Sequence, residues 1–191
     1  MPTLTPIASS LRWLLILVAL AGLSRAAQTD ETVPGLAVGT RAPSFSLVSA
    51  QGSTVSLDEL RAKGPVALVF YRSADWCPYC VNQLKDLQAR QADFAAAGVQ
   101  LVGISYDSAD TLAKAVAKHG LQLPLLADAG SRVIDAYGVR NTALTGRAAG
   151  VPHPTIFIVD RDGVIGAKLR REGYKDRPEA DEIIAAVRSL R

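Results

Sequence analysis

Pro65-Val-Ala-Leu-Val-Phe-Tyr71 is unbroken in its apolar character. A strand with one wet face would alternate apolar and polar residues, so a short unbroken run reads as a central strand buried on both faces. Val99-Gln-Leu-Val-Gly-Ile-Ser105 is a second run of this kind. Between them lies a helical pattern from Cys77 to about Ala97, with Val81, Leu84, Leu87 and Phe94 near one face and Gly98 as its stop. Hydrophobic residues make up 49% of the 191-residue chain and charged ones 20%, enough apolar material to cover such a sheet on both sides.

The flanking segments continue this alternation. PSFSLVS (43–49) and STVSL (53–57) alternate apolar and polar across Gln51-Gly52, which suggests a hairpin or two short edge strands. Ser56-Leu57-Asp58-Glu59 is a capping-box signature for a short helix ended by Gly64. Ser108 to His119 reads as a helix, capped by Asp107 or Ser108. Leu123 to Asp128 reads as a short strand and Ser131 to Tyr137 as a short helix, followed by a loop without periodicity over 139–153. Thr155 to Asp160 and Val164 to Leu169 make a hairpin around Arg161-Asp162-Gly163, and the last helix carries Ala180, Ile183, Ile184, Val187 and Leu190 on one stripe. Strands alternating with helices, closed by an antiparallel hairpin, predict a mixed α/β sheet with helices on both faces.

The N-terminus is of another kind. Arg12 precedes WLLILVALAGL, an apolar run over 13–23, and Ser24-Arg25-Ala26 follows with small residues where a signal peptidase reads. This is the pattern of a secretory signal over residues 1–26. The run is short for a membrane span, which takes about 20 residues, although an uncleaved anchor remains the alternative. Residues 27–36 read as a linker and 37–191 as the folded domain, exported to the periplasm or another extracytoplasmic space. If the signal is uncleaved, the N-terminal segment is the one membrane contact. Removing Arg12 and Arg25 lowers the formal net charge from +3 to +1, and no basic cluster stands out, which speaks against a nucleic-acid partner.

Both cysteines of the chain, Cys77 and Cys80, lie three positions apart at the junction of a buried strand and a long helix. An exported domain in need of staples would space several cysteines widely, and a loop this small constrains little of an unfolded chain. A zinc site needs about four ligands, and His119 and His153 lack paired spacing, so no metal or other cofactor is expected. At the start of the helix, free backbone N–H groups and the helix dipole favour a thiolate, and Pro78 suits the first turn because its missing N–H costs nothing there. Cys80, one turn on, can resolve a mixed disulfide formed on Cys77. Trp76 and Tyr79 are either packing aromatics or a contact surface for partners.

WCPYC after a strand ending in FY resembles the redox centre of the thioredoxin superfamily. The opening GTRAPSFSL, then GVQLVGIS, LPLLAD, AYGV and IFIVDRDG, resemble the redoxin branch, the alkyl hydroperoxide reductase/thiol-specific antioxidant (peroxiredoxin-like) family. The resemblance covers roughly 37–190 and implies a thioredoxin-like fold with an N-terminal β-hairpin extension. It also implies that Pro154 is the cis-proline facing the dithiol, where its backbone pairs with a partner chain, with His153 before it.

That branch holds both disulfide reductases and thiol peroxidases. In the peroxidase pattern P-x-x-x-T-x-x-C, the threonine position falls on Ala74 and the proline position on Phe70, while Ser73 stands one place off. The peroxide-holding arginine would fall near Pro154, which cannot donate; Arg72 is the cation left near the site. The residues therefore favour thiol–disulfide exchange, with Cys77 and Cys80 catalytic and Trp76, Tyr79, His153, Pro154 and Arg72 around them. The substrates would be protein thiols and disulfides, with recharging by an external donor, thioredoxin-like or a membrane reductase. A peroxidase acting on hydrogen peroxide or alkyl hydroperoxides is the alternative, and a non-enzymatic binding module the second. For His153, an imidazole facing the Cys77 sulfur and a plain loop residue are both open readings.

Overall fold

A computed structural model describes residues 34–190 of the chain. The segment read as a signal, 1–26, and most of the linker lie outside the described residues. The last linker residues are tied down: Gly35 and Leu36 donate backbone N–H groups to Gly138 and Tyr137, and Lys168 donates to the Gly35 carbonyl.

Strand β3 (Val66–Phe70) is buried along its whole length. It runs parallel to β4 (Gln100–Ser105) and antiparallel to β6 (Thr155–Val159), with Phe70 opposite Ile104 on one side and Thr155 on the other. Beyond β4 come β5 (Leu125–Ala127), then β1 (Ser46–Ser49) and β2 (Thr54–Ser56); beyond β6 comes β7 (Ile165–Leu169). β1 and β2 pair antiparallel, and β1 also pairs with β5, so both belong to the single seven-stranded sheet.

The apolar run of β3 divides by parity, because successive side chains of a strand point to opposite faces. Ala67, Val69 and Tyr71 join a core with Cys77, Cys80, Leu84, Leu112 and Ile183. That layer comes from α2 (Pro78–Ala89), α3 (Gln91–Ala96), α4 (Ala109–His119) and α6 (Ala180–Arg188). Val66, Leu68 and Phe70 join the opposite core with Leu57 and Leu60 of α1 (Leu57–Lys63) and Ile134 of α5 (Arg132–Ala136). The expected mixed sheet covered on both faces is therefore present.

One helix expected over 77–97 is two. Arg90 breaks it with φ −103° and ψ 17°, ending α2 and starting α3. Leu84, Leu87 and Phe94 all reach the same core, so the apolar spacing runs through a bend it does not register. At α4 the cap is Ser108, whose hydroxyl accepts from the Thr111 N–H at 3.2 Å; Asp107 is used elsewhere.

Candidate active site

Cys77 is the N-cap of α2 and Pro78 its first residue. The two cysteines form a disulfide across one turn, Cα atoms 5.3 Å apart, and the Cys80 and Val81 N–H groups both donate to the Cys77 carbonyl. Both sulfur-bearing residues are covered: Cys77 is 2% exposed and Cys80 fully buried.

The loop from Tyr71 to Trp76 is held by one carboxylate. Asp107 Oδ1 accepts from the Ser73 hydroxyl at 2.8 Å, and Oδ2 accepts from the Ala74 N–H at 2.8 Å and the Ser105 hydroxyl at 2.9 Å. Burial pushes the Asp107 carboxyl above its ordinary range, while these donors pull the other way. The Ser73 oxygen also accepts from the Asp75 N–H at 3.0 Å. Ser73 is thereby a clamp of the loop, not a donor toward the Cys77 sulfur.

Trp76 is half-buried. Its indole N–H donates to the Tyr106 hydroxyl at 2.9 Å, which in turn donates to the Arg147 carbonyl at 2.6 Å. The guanidinium of Arg72 stands 4.9 Å from the Trp76 ring centre and 4.4 Å from that of Tyr174. Tyr174 meets Tyr79 edge-on at 5.7 Å, and both are exposed. Trp76, Tyr79, Arg72 and Tyr174 thus form a linked rim at the dithiol.

The cation on the sulfur is one that sequence reading did not single out. Arg177 Nη2 donates to Cys80 Sγ at 3.6 Å. Burial first, then the charge of Arg72, lowers the Arg177 pKa to about 10. His153 makes no such bond among the described residues. Its imidazole is half-buried and its pKa is pushed down by burial and by Arg170, which favours the neutral form.

Pro154 departs from the expected geometry. No described peptide bond is cis, so the bond before Pro154 is trans. The ladder of β6 begins one residue later, at Thr155, so the missing N–H of Pro154 removes no sheet bond. The backbone expected to pair with a partner chain is already engaged. His153 N–H donates to the Val139 carbonyl at 2.7 Å, Asn141 N–H donates to the Val151 carbonyl, and Arg140 bridges Pro152.

Of the residues singled out from sequence, the structure brings together Cys77, Cys80, Trp76, Tyr79 and Arg72. It adds Arg177, Tyr174 and Asp107. Asp107 had a usable signal: it follows the carboxyl end of a strand parallel to β3, where such ends converge. Arg177 had none, since it lies 97 positions after Cys80 in an irregular segment.

Residues 38–168 match the AhpC/TSA family. "Putative peroxiredoxin Rv2521" of Mycobacterium tuberculosis is 35% identical over 131 residues, covering 68% of this chain and 82% of that protein. "Thiol-disulfide oxidoreductase ResA" of Bacillus anthracis is 28% identical over 143 residues, 74% of this chain and 75% of that one. Among solved structures, peroxidoxin BcpB from Mycobacterium tuberculosis matches with a TM-score of 0.71 at 28% identity, over 81% of this chain and 97% of that chain. These likenesses and the dithiol make the protein an oxidoreductase acting on thiols. By the family match over most of its length, the chain belongs to the AhpC/TSA family, a peroxiredoxin-like branch of the thioredoxin superfamily.

Proposed function

We propose that the protein is a thiol–disulfide oxidoreductase in which Cys77 is the nucleophile and Cys80 the resolving thiol. The observation that carries this reading is the Cys77–Cys80 disulfide closed across the first turn of α2. In the reduced protein a Cys77 thiolate stands at the N-terminal end of α2, where the helix dipole favours negative charge. It attacks a substrate disulfide, breaks the S–S bond, keeps one half as a mixed disulfide and releases the other as a thiolate. Cys80 then loses its proton, attacks the Cys77 sulfur and releases the second half. Two electrons pass to the substrate, the protein disulfide reforms, and an external dithiol donor restores the reduced state.

A peroxidase is the second reading, favoured by the relatives named as peroxiredoxins. The site offers it little: Ser73 is committed to Asp107, and by the family resemblance the peroxide-holding arginine would fall near Pro154, which cannot donate. Reduced protein mixed separately with insulin and with hydrogen peroxide decides between them. We expect insulin reduction that vanishes in Cys77→Ser, and peroxide oxidation no faster than that of free cysteine. Fast peroxide oxidation with no insulin reduction would reverse the assignment.

We also propose export, supported by Arg12, the apolar run over 13–23 and the small residues Ser24 and Ala26. Terminal sequencing of the exported protein should begin at Ala27; an intact N-terminus in the cytosolic fraction contradicts it.

A further inference from the structure

Two guanidinium groups at the rim of the disulfide form no ion pair among the described residues. Arg177 spends Nη2 on Cys80 Sγ, while its Nε and Nη1 are buried without a hydrogen-bond partner. Arg72 lies between the rings of Trp76 and Tyr174 with its Nε likewise buried and unpaired. The ion pairs among the described residues engage Arg61, Arg90, Arg140, Arg147 and Arg171, and neither Arg72 nor Arg177. The acids nearby do not fill the gap. Asp75 of the active-site loop is bound to Arg147, and Asp176 acts on Arg177 through its charge without an ion pair.

Such an arrangement is unfavourable by itself. A buried guanidinium with unmatched donors carries a desolvation penalty, and a second cation beside it adds repulsion. The depressed pKa of Arg177 is the same strain seen from its proton. What relieves both is an anion, and the planar fork of arginine fits a carboxylate with two parallel hydrogen bonds.

We infer that Arg177 and Arg72 form a carboxylate seat beside the dithiol, so that the protein acts preferentially on low-mass disulfides bearing a carboxylate close to the sulfur. The inference rests on the thiol–disulfide reading above and names its substrate class. Small size follows from access. Both sulfurs are covered, and the backbone over 151–153 that would pair with a protein partner is already hydrogen-bonded inside the molecule. What opens at Arg177 is a groove of about 400 Å³ bounded also by Tyr79, Asn82, Gln83 and Lys175. Asp86 and Glu179 also line its walls, Arg90 there is already paired with Asp93 and Asp181, and Arg177 stands at the end of the groove that reaches Cys80. In the exchange already described, the seat holds the carboxylate of the half that stays on Cys77, one turn from Cys80.

The test uses three disulfides that differ in charge: dithiodipropionate (dianionic), hydroxyethyl disulfide (neutral) and cystamine (dicationic). Oxidation of reduced protein by each is timed and divided by the rate of free dithiothreitol with the same probe. We expect the dianion to exceed the neutral probe by roughly ten- to a hundred-fold, the range of a charge-assisted hydrogen bond, with the dication slowest. Added salt should shrink the ratio. Arg177→Gln and Arg72→Gln should each lower it about ten-fold, and Arg177→Lys should retain part of it. Because both probes meet the same thiols, the ratio is insensitive to any change in cysteine reactivity. A wild-type ratio near one, or the same ratio in both Gln variants, overturns the seat while leaving the oxidoreductase reading standing. No reaction with any of the three probes also overturns the seat, and the oxidoreductase reading then stands or falls on insulin reduction alone. Should Arg177→Gln fail to fold, Arg72→Gln and the salt series on the wild type decide.

Discussion

Cys77 and Cys80 share a disulfide but not an environment. Cys77 caps the helix, whereas the Cys80 sulfur receives a guanidinium N–H. If Cys77 attacks first, Cys80→Ser should accumulate a mixed disulfide with a small substrate, visible as added mass, and Cys77→Ser should show none. Asp107 is the other residue whose role is decided by its neighbours, since one carboxylate accepts three donors that shape the loop before Cys77. Asp107→Asn replaces one acceptor oxygen by a donor that faces other donors and should cost roughly 1–3 kcal/mol of stability. The sign with pH follows from the direction of the shift. A folded pKa raised above 3.8 means that the folded state binds the proton more tightly, so this stabilisation is fully present below 3.8 and is lost as pH rises through the folded value. Urea unfolding of wild type and variant should therefore show a larger gap at about pH 4 than at about pH 7. A gap that widens toward neutrality would refute the shift.

At the scale of elements, the dithiol stands where it does because β3 is flanked by a parallel and an antiparallel neighbour. The parallel one brings Ser105 and Asp107 to its carboxyl end; the antiparallel one brings Thr155 and the 152–154 segment. Packing beneath the site depends on Gly103 of β4. A Cβ there would lie 2.7 Å from Leu125 Cδ2, closer than real Cβ contacts come, and 3.0 Å from Tyr71 Cε1, which is tight enough that the ring must give way. Tyr71 shares a core with both cysteines. Gly103→Ala should destabilise by roughly 1–3 kcal/mol through this overpacking and also slow exchange at the dithiol by displacing Tyr71. Unchanged thermal unfolding and unchanged exchange rates would show that the core yields instead. The break at Arg90 belongs to this scale as well. Its guanidinium pairs with Asp93 of α3 and Asp181 of α6, but these partners are exposed, so the pairs orient the bend more than they stabilise it.

For the whole molecule, two cores on opposite faces of one sheet carry the stability, and the disulfide closes only a single turn. By loop-closure entropy a ring this small contributes about 2 kcal/mol, which for a domain of this size is a shift of roughly 4–8 °C in Tm. Reduction should therefore leave the protein folded with a modestly lower Tm, as a protein cycling between the two states requires. Loss of cooperative unfolding on reduction would mean that the disulfide is a structural staple.

The sequence by itself determined what depends on near neighbours. The unbroken run at 66–70, the capping box at Ser56 and Glu59, the Ser108 cap and the hairpin at 155–169 are all set by spacings of a few residues, and each formed close to where its pattern lies. The placement of Cys77 and Cys80 on a strand–helix junction was legible for the same reason. Periodicity says nothing about which distant charges meet. Ser73 and Asp107 are joined because β3 and β4 are parallel neighbours, and Arg177 reaches Cys80 because the segment after β7 folds back over α2. The paired backbone at 151–153 likewise depends on Val139 and Asn141 lying alongside it. Only the tertiary structure decided these, because they are set by strand order and chain return, and with them it decided that the charge at the sulfur is an arginine that forms no ion pair among the described residues.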